Sequence, residues 1–250
     1  MSITVKAEAE MKDNSQPYLL EVIACSVDDA LAAERGGADR LEIISRYDVG
    51  GLTPPVELVG EIATTVKIPL RVMLRETEAF EVHDEDEKQQ LCESAREFAG
   101  IGIDGLVLGF LKDGWSNKSI DHELVARVLA CAPNLKATFH RAVEDLDEPL
   151  RAIAELKRHS QIDRILTSGG GDAWQDKVER FTVWQQAAQS EIEILVGGGT
   201  DVVAIKLLKS ATGIREFHIG RAVREGKSID GMVLAKRVRE LADLFGKSLV

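Results

Sequence analysis

The sequence of 250 residues has three cysteines, few aromatic side chains and no long hydrophobic run. Cys25, Cys92 and Cys131 are widely spaced and form no Cys-x-x-Cys pair, which argues against a disulfide framework and against a thiolate zinc site. No apolar stretch approaches the roughly 20 residues that span a bilayer, and Glu8 and Glu10 stand where a signal peptide would be apolar. We therefore expect a cytoplasmic protein with reduced thiols and no membrane partner.

A basic patch is also absent. Asp and Glu number 42 against 31 Lys and Arg, which gives a formal net charge of -11. That charge repels phosphate backbones and no block of Lys or Arg overrides it, so we expect no nucleic-acid partner. Hydrophobic residues nevertheless make up 44% of the chain, which is enough for a large buried core.

Eight short runs typical of β-strands alternate with segments that have apolar residues at helical spacing. The predicted strands are Leu19–Ala24, Arg40–Ile44, Leu70–Arg75, Gly105–Gly109, Lys136–Arg141, Arg164–Gly169, Glu193–Gly198 and Glu216–Gly220. The clearest predicted helices are Asp28–Arg35, Asp86–Ala99, Asp121–Ala130, Glu148–Arg158 and Gly231–Leu244.

Eight such units of about thirty residues each match a (β/α)8 TIM barrel. We therefore predict an α/β protein in which residues 18–250 form one barrel domain and residues 1–17 form an N-terminal arm. An open doubly wound sheet is the alternative. Such folds carry glycines in the turn after their first strand, and the corresponding turn here, Cys25-Ser26-Val27-Asp28, has none.

Hydrophobic residues occupy one face of the predicted strands, since successive side chains of a strand point to opposite sides. The apolar face carries Leu20, Val22, Leu41, Ile43, Val72, Leu74, Ala137, Phe139, Phe217 and Ile219. We expect this face to meet the surrounding helices. The opposite face, directed into the barrel, carries Glu21, Arg40, Glu42, Arg71, Arg75, Thr138, His140, Glu216 and His218.

The charged residues of the inward face have two interpretations. Buried charges are tolerated when they pair with one another or when part of the interior stays wet. Glu21, Arg40, Glu42 and Arg71 are therefore either a structural layer of ion pairs or part of a ligand site.

Several polar residues lie at the carboxyl ends of their strands, where barrel enzymes keep their active sites. Arg75, Arg141, Ser168 and His218 are the candidate substrate-binding residues. The two arginines suit a carboxylate or a phosphate, because a guanidinium can hold either group with two parallel hydrogen bonds.

His140 lies at the same end and is the candidate acid/base, since an imidazole titrates near neutral pH. Glu21 and Glu42 are further catalytic candidates, because either carboxylate could orient the ring. The alternative is a core histidine whose hydrogen bonds are satisfied by Glu21 or Glu42.

Glycine-rich turns follow the last two predicted strands. The seventh strand runs into Gly198, Gly199 and Thr200, and the eighth runs into Gly220 and Arg221. In (β/α)8 proteins these two loops frequently hold a phosphate through backbone N–H groups and a helix N-terminus. We therefore predict a phosphate-binding site at these residues and a small anionic ligand as the partner.

Seven motifs occur along the chain in a defined order. They are Leu20-Glu21-Val22, Gly36-Gly37-Ala38-Asp39-Arg40-Leu41-Glu42, Gly50-Gly51-Leu52-Thr53-Pro54, Val72-Met73-Leu74-Arg75, Thr138-Phe139-His140-Arg141-Ala142, Asp163-Arg164-Ile165-Leu166-Thr167-Ser168-Gly169-Gly170 and Arg215-Glu216-Phe217-His218. Together they closely resemble the CutC family of copper homeostasis proteins, over about Tyr18 to Ala222. The resemblance implies a cytoplasmic (β/α)8 barrel with a role in copper homeostasis and with copper as a bound metal.

The sequence departs from that family in its sulfur ligands. Family members often carry cysteines near the ends of the first two strands, where this chain has Ile23 and Ile44. Cu(I) prefers soft sulfur ligands, so Cys25 is left as a weak candidate metal ligand.

Two functions remain open from the sequence, with a purely structural partner protein as the third alternative. The first is a CutC-like copper homeostasis protein that binds copper, as the resemblance implies. The second is an enzyme acting on a small anionic or phosphorylated metabolite, with His140 as acid/base. The sequence also leaves open whether the chain forms a homo-oligomer.

Overall fold

Eight parallel strands close into a barrel in the computed structural model, which describes residues 17–114 and 117–247. The strands in chain order are β1 (Leu19–Ala24), β2 (Arg40–Ile43), β3 (Leu70–Met73), β4 (Gly105–Leu108), β5 (Leu111–Lys112), β6 (Ser119–Ile120), β7 (Lys136–Phe139), β8 (Ile162–Thr167), β9 (Glu193–Val196) and β10 (Glu216–Ile219). The short strands β5 and β6 form a separate antiparallel pair. The others follow one another around the barrel until β10 pairs with β1, so the predicted (β/α)8 barrel is confirmed. Residues 1–16 of the predicted arm lie outside the described residues.

Helices surround the barrel, and several of them begin at polar caps. Those of the described residues are α1 (Val27–Gly36), α2 (Val56–Thr65), α3 (Glu85–Ile101), α4 (His122–Cys131), α5 (Pro149–Leu156), α6 (Val178–Ala188), α7 (Val202–Ala211) and α8 (Ala235–Ala242). The side chains of Ser26, Asp84 and Asp121 accept hydrogen bonds from free N–H groups at the starts of α1, α3 and α4. Within residues 17–114 and 117–247, no helix combines the length and the apolar character needed to cross a membrane.

The predicted boundaries differ from the structure at strand ends and at the last helix. Several predicted strands run one or two residues too long. Arg75, for instance, lies beyond β3, where its N–H donates to the Thr53 hydroxyl at 2.9 Å. Helix α8 begins only at Ala235, because Val233 forms a β-bridge with Arg224. The pair β5–β6 has no counterpart in the prediction, since strands of two residues are too short to show alternation.

The two faces of the barrel strands are divided as predicted. The apolar side chains assigned to the outer face, such as Leu20, Val72 and Phe139, are buried in the core between barrel and helices. This layer supplies most of the hydrophobic stabilisation of the fold. The barrel interior contains a second, smaller apolar cluster that includes Ile23 and Ile44, directly above a charged layer.

The amino-terminal half of the barrel interior is filled by a chain of ion pairs. Its links are Arg71–Asp104 (2.7 Å), Arg71–Asp163 (3.0 Å), Arg164–Asp163, Arg164–Glu216 (2.6 Å), Arg40–Glu216 (3.5 Å) and Arg40–Glu21 (2.5 Å). Each of these guanidinium groups meets two carboxylates, which offsets part of the cost of removing the charges from water. The interpretation as a structural layer of ion pairs therefore holds for Arg40 and Arg71. Glu21 belongs to the same layer, but it also contacts His218 on the side that faces the carboxyl ends of the strands.

Candidate functional site

A cavity of about 750 Å³ opens at the carboxyl end of the barrel, where the sequence predicts the active site. The predicted residues that line it are Glu42, Arg75, His140, Arg141, Gly198, Gly199, Thr200, His218, Gly220 and Arg221. Glu21, Ser168 and Cys25 do not line it. The wall combines charged and polar side chains with a similar share of apolar ones, a mixture typical of small-ligand sites.

The carboxylates of Glu21 and Glu42 contact His218, not His140. His218 Nδ1 lies 2.7 Å from Glu21 Oε1, and His218 Nε2 lies 3.4 Å from Glu42 Oε2. Glu21 meets His218 because β1 pairs with β10 where the barrel closes, and the two residues are in register in that pair. His140 follows β7, which lies on the far side of the barrel from β1. The prediction that Glu21 or Glu42 orients His140 is therefore wrong, and so is the alternative in which they satisfy a core His140.

Glu42, His218 and Glu21 form a buried triad of two carboxylates around one imidazole. Burial opposes the ionisation of Glu21, but Arg40 and His218 hold its pKa well below the usual range. Burial and the nearby charge of Glu21 raise the pKa of Glu42 to about 7. Burial also disfavours the imidazolium of His218, yet Glu42 and Glu21 raise the pKa of that ring. Because Glu42 Oε1 has no hydrogen-bond partner, Glu42 is the member of the triad with an oxygen available to a ligand.

His140 is held in its neutral form. Burial and the neighbouring charge of Arg75 lower the pKa of His140 to about 3. Its Nδ1 accepts a hydrogen bond from the N–H of Ala142 at 3.2 Å, which leaves the ring proton on Nε2. That Nε2 is buried and has no partner. A neutral imidazole fixed in this tautomer donates a hydrogen bond to a ligand oxygen and does not act as a base.

Arg75 brings an unpaired positive charge to the cavity. Its guanidinium lies over the ring of Phe80, 4.7 Å from the ring centre, and donates to the backbone carbonyls of Gly51 and Glu78. Its Nε is buried and has no partner. Within the described ranges no carboxylate approaches it to ion-pair distance. Its charge is therefore available to an anionic ligand in the cavity.

The glycine-rich loops border the cavity, but the helix after the first of them is already capped. Gly198 and Gly199 have φ angles of 73° and 95°, which glycine adopts without strain. The carboxylate of Asp201 accepts hydrogen bonds from the N–H groups of Val203 and Ala204 at the start of α7. Asp201 therefore already satisfies two of the N–H groups that a phosphate at this helix N-terminus would use, and its negative charge offsets part of the helix dipole there. The last strand leads into a short 3-10 turn instead of an α-helix.

Glu144 is a cavity residue that sequence reasoning missed. Its carboxylate pairs with Arg141 at 2.8 Å and accepts hydrogen bonds from the Thr167 hydroxyl (3.1 Å) and the Ser168 N–H (2.5 Å). Burial opposes its ionisation, but Arg141 and Ser168 lower its pKa. Arg141 is thus partly neutralised, and Ser168 holds this carboxylate instead of reaching the cavity. The three-residue spacing of Arg141 and Glu144 was the available signal.

Tyr47 is a second residue that the sequence did not single out. It begins a 3-10 helix (Tyr47–Val49) that covers one side of the cavity. A Cβ atom on Gly220 would overlap the Tyr47 hydroxyl oxygen, so only glycine fits beneath this ring. The guanidinium of Arg224 lies over the same ring, 5.2 Å from its centre. Tyr47 is therefore held between the last strand and the loop that follows it.

Cys25 lies beside the cavity wall and does not form a metal site there. Burial raises the pKa of its thiol to about 11, and the nearest charged partner is Arg224, with Nη2 at 3.6 Å from Sγ. Among residues 17–114 and 117–247, no three side chains of His, Cys, Asp or Glu converge as a metal site. The cavity offers imidazole and carboxylate groups and a single thioether, that of Met73, whereas Cu(I) sites use several soft sulfur ligands, so the cavity residues do not form a Cu(I) site.

Comparison with known proteins places the chain among barrels of one family. The model of the CutC family matches residues 18–223. A CutC family protein of Xanthomonas campestris pv. campestris (strain 8004) is 33% identical over 199 residues, which cover 80% of this chain and 81% of that protein. The copper homeostasis protein cutC homolog of Homo sapiens is 32% identical over 202 residues, 80% of this chain and 72% of that protein. The solved structure of CutC from Streptococcus agalactiae superposes with a TM-score of 0.73 at 25% identity, over 81% of this chain and 98% of that one. This chain therefore belongs to the CutC family.

Proposed function

We propose that the cavity binds a small anionic metabolite and supports proton transfer on it, so that the chain is an enzyme. The observation that carries the proposal is Arg75, whose guanidinium lines the cavity without a carboxylate partner in the described part of the chain. A partly buried cation of this kind is stabilised by an anionic ligand, and a planar guanidinium binds carboxylate and phosphate groups with two hydrogen bonds.

Two further groups of the cavity fit proton transfer. His140 Nε2 is a buried donor with no partner and would hold a carbonyl or oxyanion oxygen of the ligand. Glu42 has a free carboxyl oxygen and a pKa raised to about 7, so both of its protonation states exist near neutral pH. This pairing of a neutral donor with a carboxylate base matches proton abstraction next to a carbonyl group. In this proposal Glu42 takes the acid/base role that the sequence assigned to His140.

The test is binding of small phosphorylated and carboxylated keto acids and keto sugars, screened by thermal shift and quantified by calorimetry. We expect Arg75→Gln to weaken binding of the best ligand by about tenfold to a hundredfold, because a charged hydrogen bond is lost. Its melting temperature without ligand should stay close to that of the wild type. Arg141→Gln is the matched control, since Glu144 already pairs with Arg141, and it should change affinity much less.

The proton-transfer step has its own measurement. Exchange of ligand C–H hydrogen in D₂O, followed by NMR, should occur with the wild type and be lost in Glu42→Gln, with ligand affinity retained. An Arg75→Gln variant that binds every hit as tightly as the wild type would rule out the anion site. Exchange that persists unchanged in Glu42→Gln would rule out the proposed base.

A phosphate on the ligand would lie against the loops that contain Gly199 and Gly220. We expect Gly199→Asp to weaken binding of inorganic phosphate by about tenfold or more, because it places a carboxylate beside the anion. Gly213→Asp is the matched control. Both glycines have positive φ angles (95° and 75°) and open space where a Cβ atom would lie, but Gly213 does not line the cavity. Equal phosphate affinity of the two variants in calorimetry would remove these loops from the site.

The names of the relatives support a second candidate function, copper homeostasis. The human relative is named a copper homeostasis protein homolog. Because the cavity residues do not fit Cu(I), a copper-related role of this chain would need a sulfur site elsewhere in the fold.

A further inference from the structure

The carboxylates that line the cavity are already engaged within the protein. Each contacts a cation, an imidazole or backbone N–H groups, in the pairs Asp48–Arg46 (2.8 Å), Asp145–Lys118 (3.1 Å), Glu144–Arg141 (2.8 Å) and Glu42–His218 (3.4 Å) and in the hydrogen bonds of Asp201 with the N–H groups of Val203 (2.9 Å) and Ala204 (3.0 Å). These contacts offset part of the negative charge that the wall would otherwise present to a ligand.

Three cations of the same wall have no carboxylate partner. Arg75, Arg221 and Lys227 line the cavity, and within residues 17–114 and 117–247 none of them forms an ion pair. Arg75 follows β3, whereas Arg221 and Lys227 follow β10, and β2 and β1 lie between these two strands in the barrel. The unmatched positive charge is therefore divided between two parts of the wall.

The two parts are held apart. The guanidinium of Arg75 is fixed at the end of β3 by the ring of Phe80 and by the carbonyls of Gly51 and Glu78. Neighbouring strands lie about 4.8 Å apart, so the three steps from β3 through β2 and β1 to β10 extend over roughly 14 Å of wall. This spacing suits two separate anionic groups better than one.

Lys227 is presented to the cavity by a fixed turn. Its φ angle of 54° lies in the left-handed region, which is uncommon for residues other than glycine and persists where surrounding contacts hold it. The N–H of Lys227 donates to the carbonyl of Arg224 at 3.0 Å, and the Arg224 side chain pairs with the buried Asp29 at 2.8 Å. A β-bridge between Arg224 and Val233 closes the base of the turn. The turn therefore keeps an exposed lysine at the cavity.

We propose that the ligand of the cavity carries two anionic groups, one held by Arg75 and the other by Arg221 and Lys227 together. The inference rests on the proposed function, because it names the class of ligand that binds at Arg75. The class is a keto sugar or keto acid with a phosphate or carboxylate at each end. Its carbonyl group lies between the two anchors, where His140 and Glu42 also line the cavity. A cavity of about 750 Å³ is large enough for such a molecule.

The test is calorimetry with pairs of probes that share a carbon chain and differ by one anionic group. The pairs are ribulose 5-phosphate with ribulose 1,5-bisphosphate, fructose 6-phosphate with fructose 1,6-bisphosphate, and 2-oxopentanoate with 2-oxoglutarate. In at least one pair, the wild type should bind the member with two anionic groups about tenfold or more tightly than the other member. The pair that shows this preference distinguishes phosphate from carboxylate.

The variant Arg221→Gln/Lys227→Gln should lose that preference and keep the affinity for the member with one anionic group within about twofold. Arg96→Gln/Lys206→Gln is the matched control. It removes the same two charges from exposed side chains that do not line the cavity, so it should retain the preference. Both variants should melt at the wild-type temperature without ligand, because all four side chains are exposed.

The possible failures separate this inference from the proposed function. If the wild type shows no preference in any pair, and Arg75→Gln still weakens binding, the ligand with two anionic groups is overturned and the anion site at Arg75 stands. A preference that survives in Arg221→Gln/Lys227→Gln, or is equally lost in Arg96→Gln/Lys206→Gln, overturns the assignment of the second anchor. Binding of every probe that is unchanged in Arg75→Gln overturns the proposed function together with this inference.

Discussion

Replacing Arg40 with methionine is expected to lower the free energy of unfolding by about 3–5 kcal/mol, the usual cost of removing one partner from a buried ion pair. Only 3% of the Arg40 side chain is exposed, and its guanidinium lies 2.5 Å from Glu21 and 3.5 Å from Glu216. Methionine leaves Glu21 with His218 alone, and Glu216 with Arg164 alone. Urea unfolding followed by circular dichroism measures the loss.

Arg46→Met is the matched control for this prediction. Arg46 also pairs with a carboxylate, that of Asp48 at 2.8 Å, but 59% of its side chain is exposed. Water already solvates both charges there, so the loss should stay below about 1 kcal/mol. If the Arg40 and Arg46 variants lost similar amounts of stability, the ion-pair chain of the barrel interior could not be a major structural element.

The sequence was sufficient to predict the inward and outward faces of the strands, because the alternation of polar and apolar residues is visible within each strand. Glu21 and His218 illustrate the limit. Each was assigned correctly to the interior, but their contact depends on β10 pairing with β1, which closes the barrel between residues far apart in the chain. No local pattern specifies that neighbour, so the carboxylates were assigned to His140 instead of His218.

The candidate site likewise contains residues that the sequence predicts and residues that it does not. Arg75 and His140 were found because they end strands, and the carboxyl ends of parallel strands meet at one edge of a barrel. Glu144 was missed because it lies in a 3-10 helix after β7 and is held at the site by hydrogen bonds that it accepts from Thr167, at the end of β8, and from Ser168 just beyond it.

The second large effect is expected from Glu42→Gln, and it concerns the dependence of stability on pH. The pKa of Glu42 in the folded chain is about 7, above the ordinary value of 4.5, because the side chain is buried. The folded state therefore holds this proton more tightly than the unfolded state, and stability falls as pH rises through that interval. The raised pKa of His218 acts in the same direction, because its stabilising charge is lost as pH rises through the folded value.

Glutamine resembles the protonated form of Glu42 and cannot ionise, so the variant should match the wild type at about pH 5 and exceed its free energy of unfolding by about 2 kcal/mol at about pH 8. The contribution of His140 is common to both proteins and cancels in the difference. Glu144→Gln provides a control of opposite sign, because Arg141 and Ser168 hold the pKa of Glu144 low. That variant should be less stable than the wild type near neutral pH, with a difference that shrinks as the pH falls below the usual range for a carboxyl group. Urea unfolding across this pH range distinguishes the two cases.

A constant difference between Glu42→Gln and the wild type would show that Glu42 ionises normally in the folded chain, and would remove the physical basis for assigning it as the proton-transfer group.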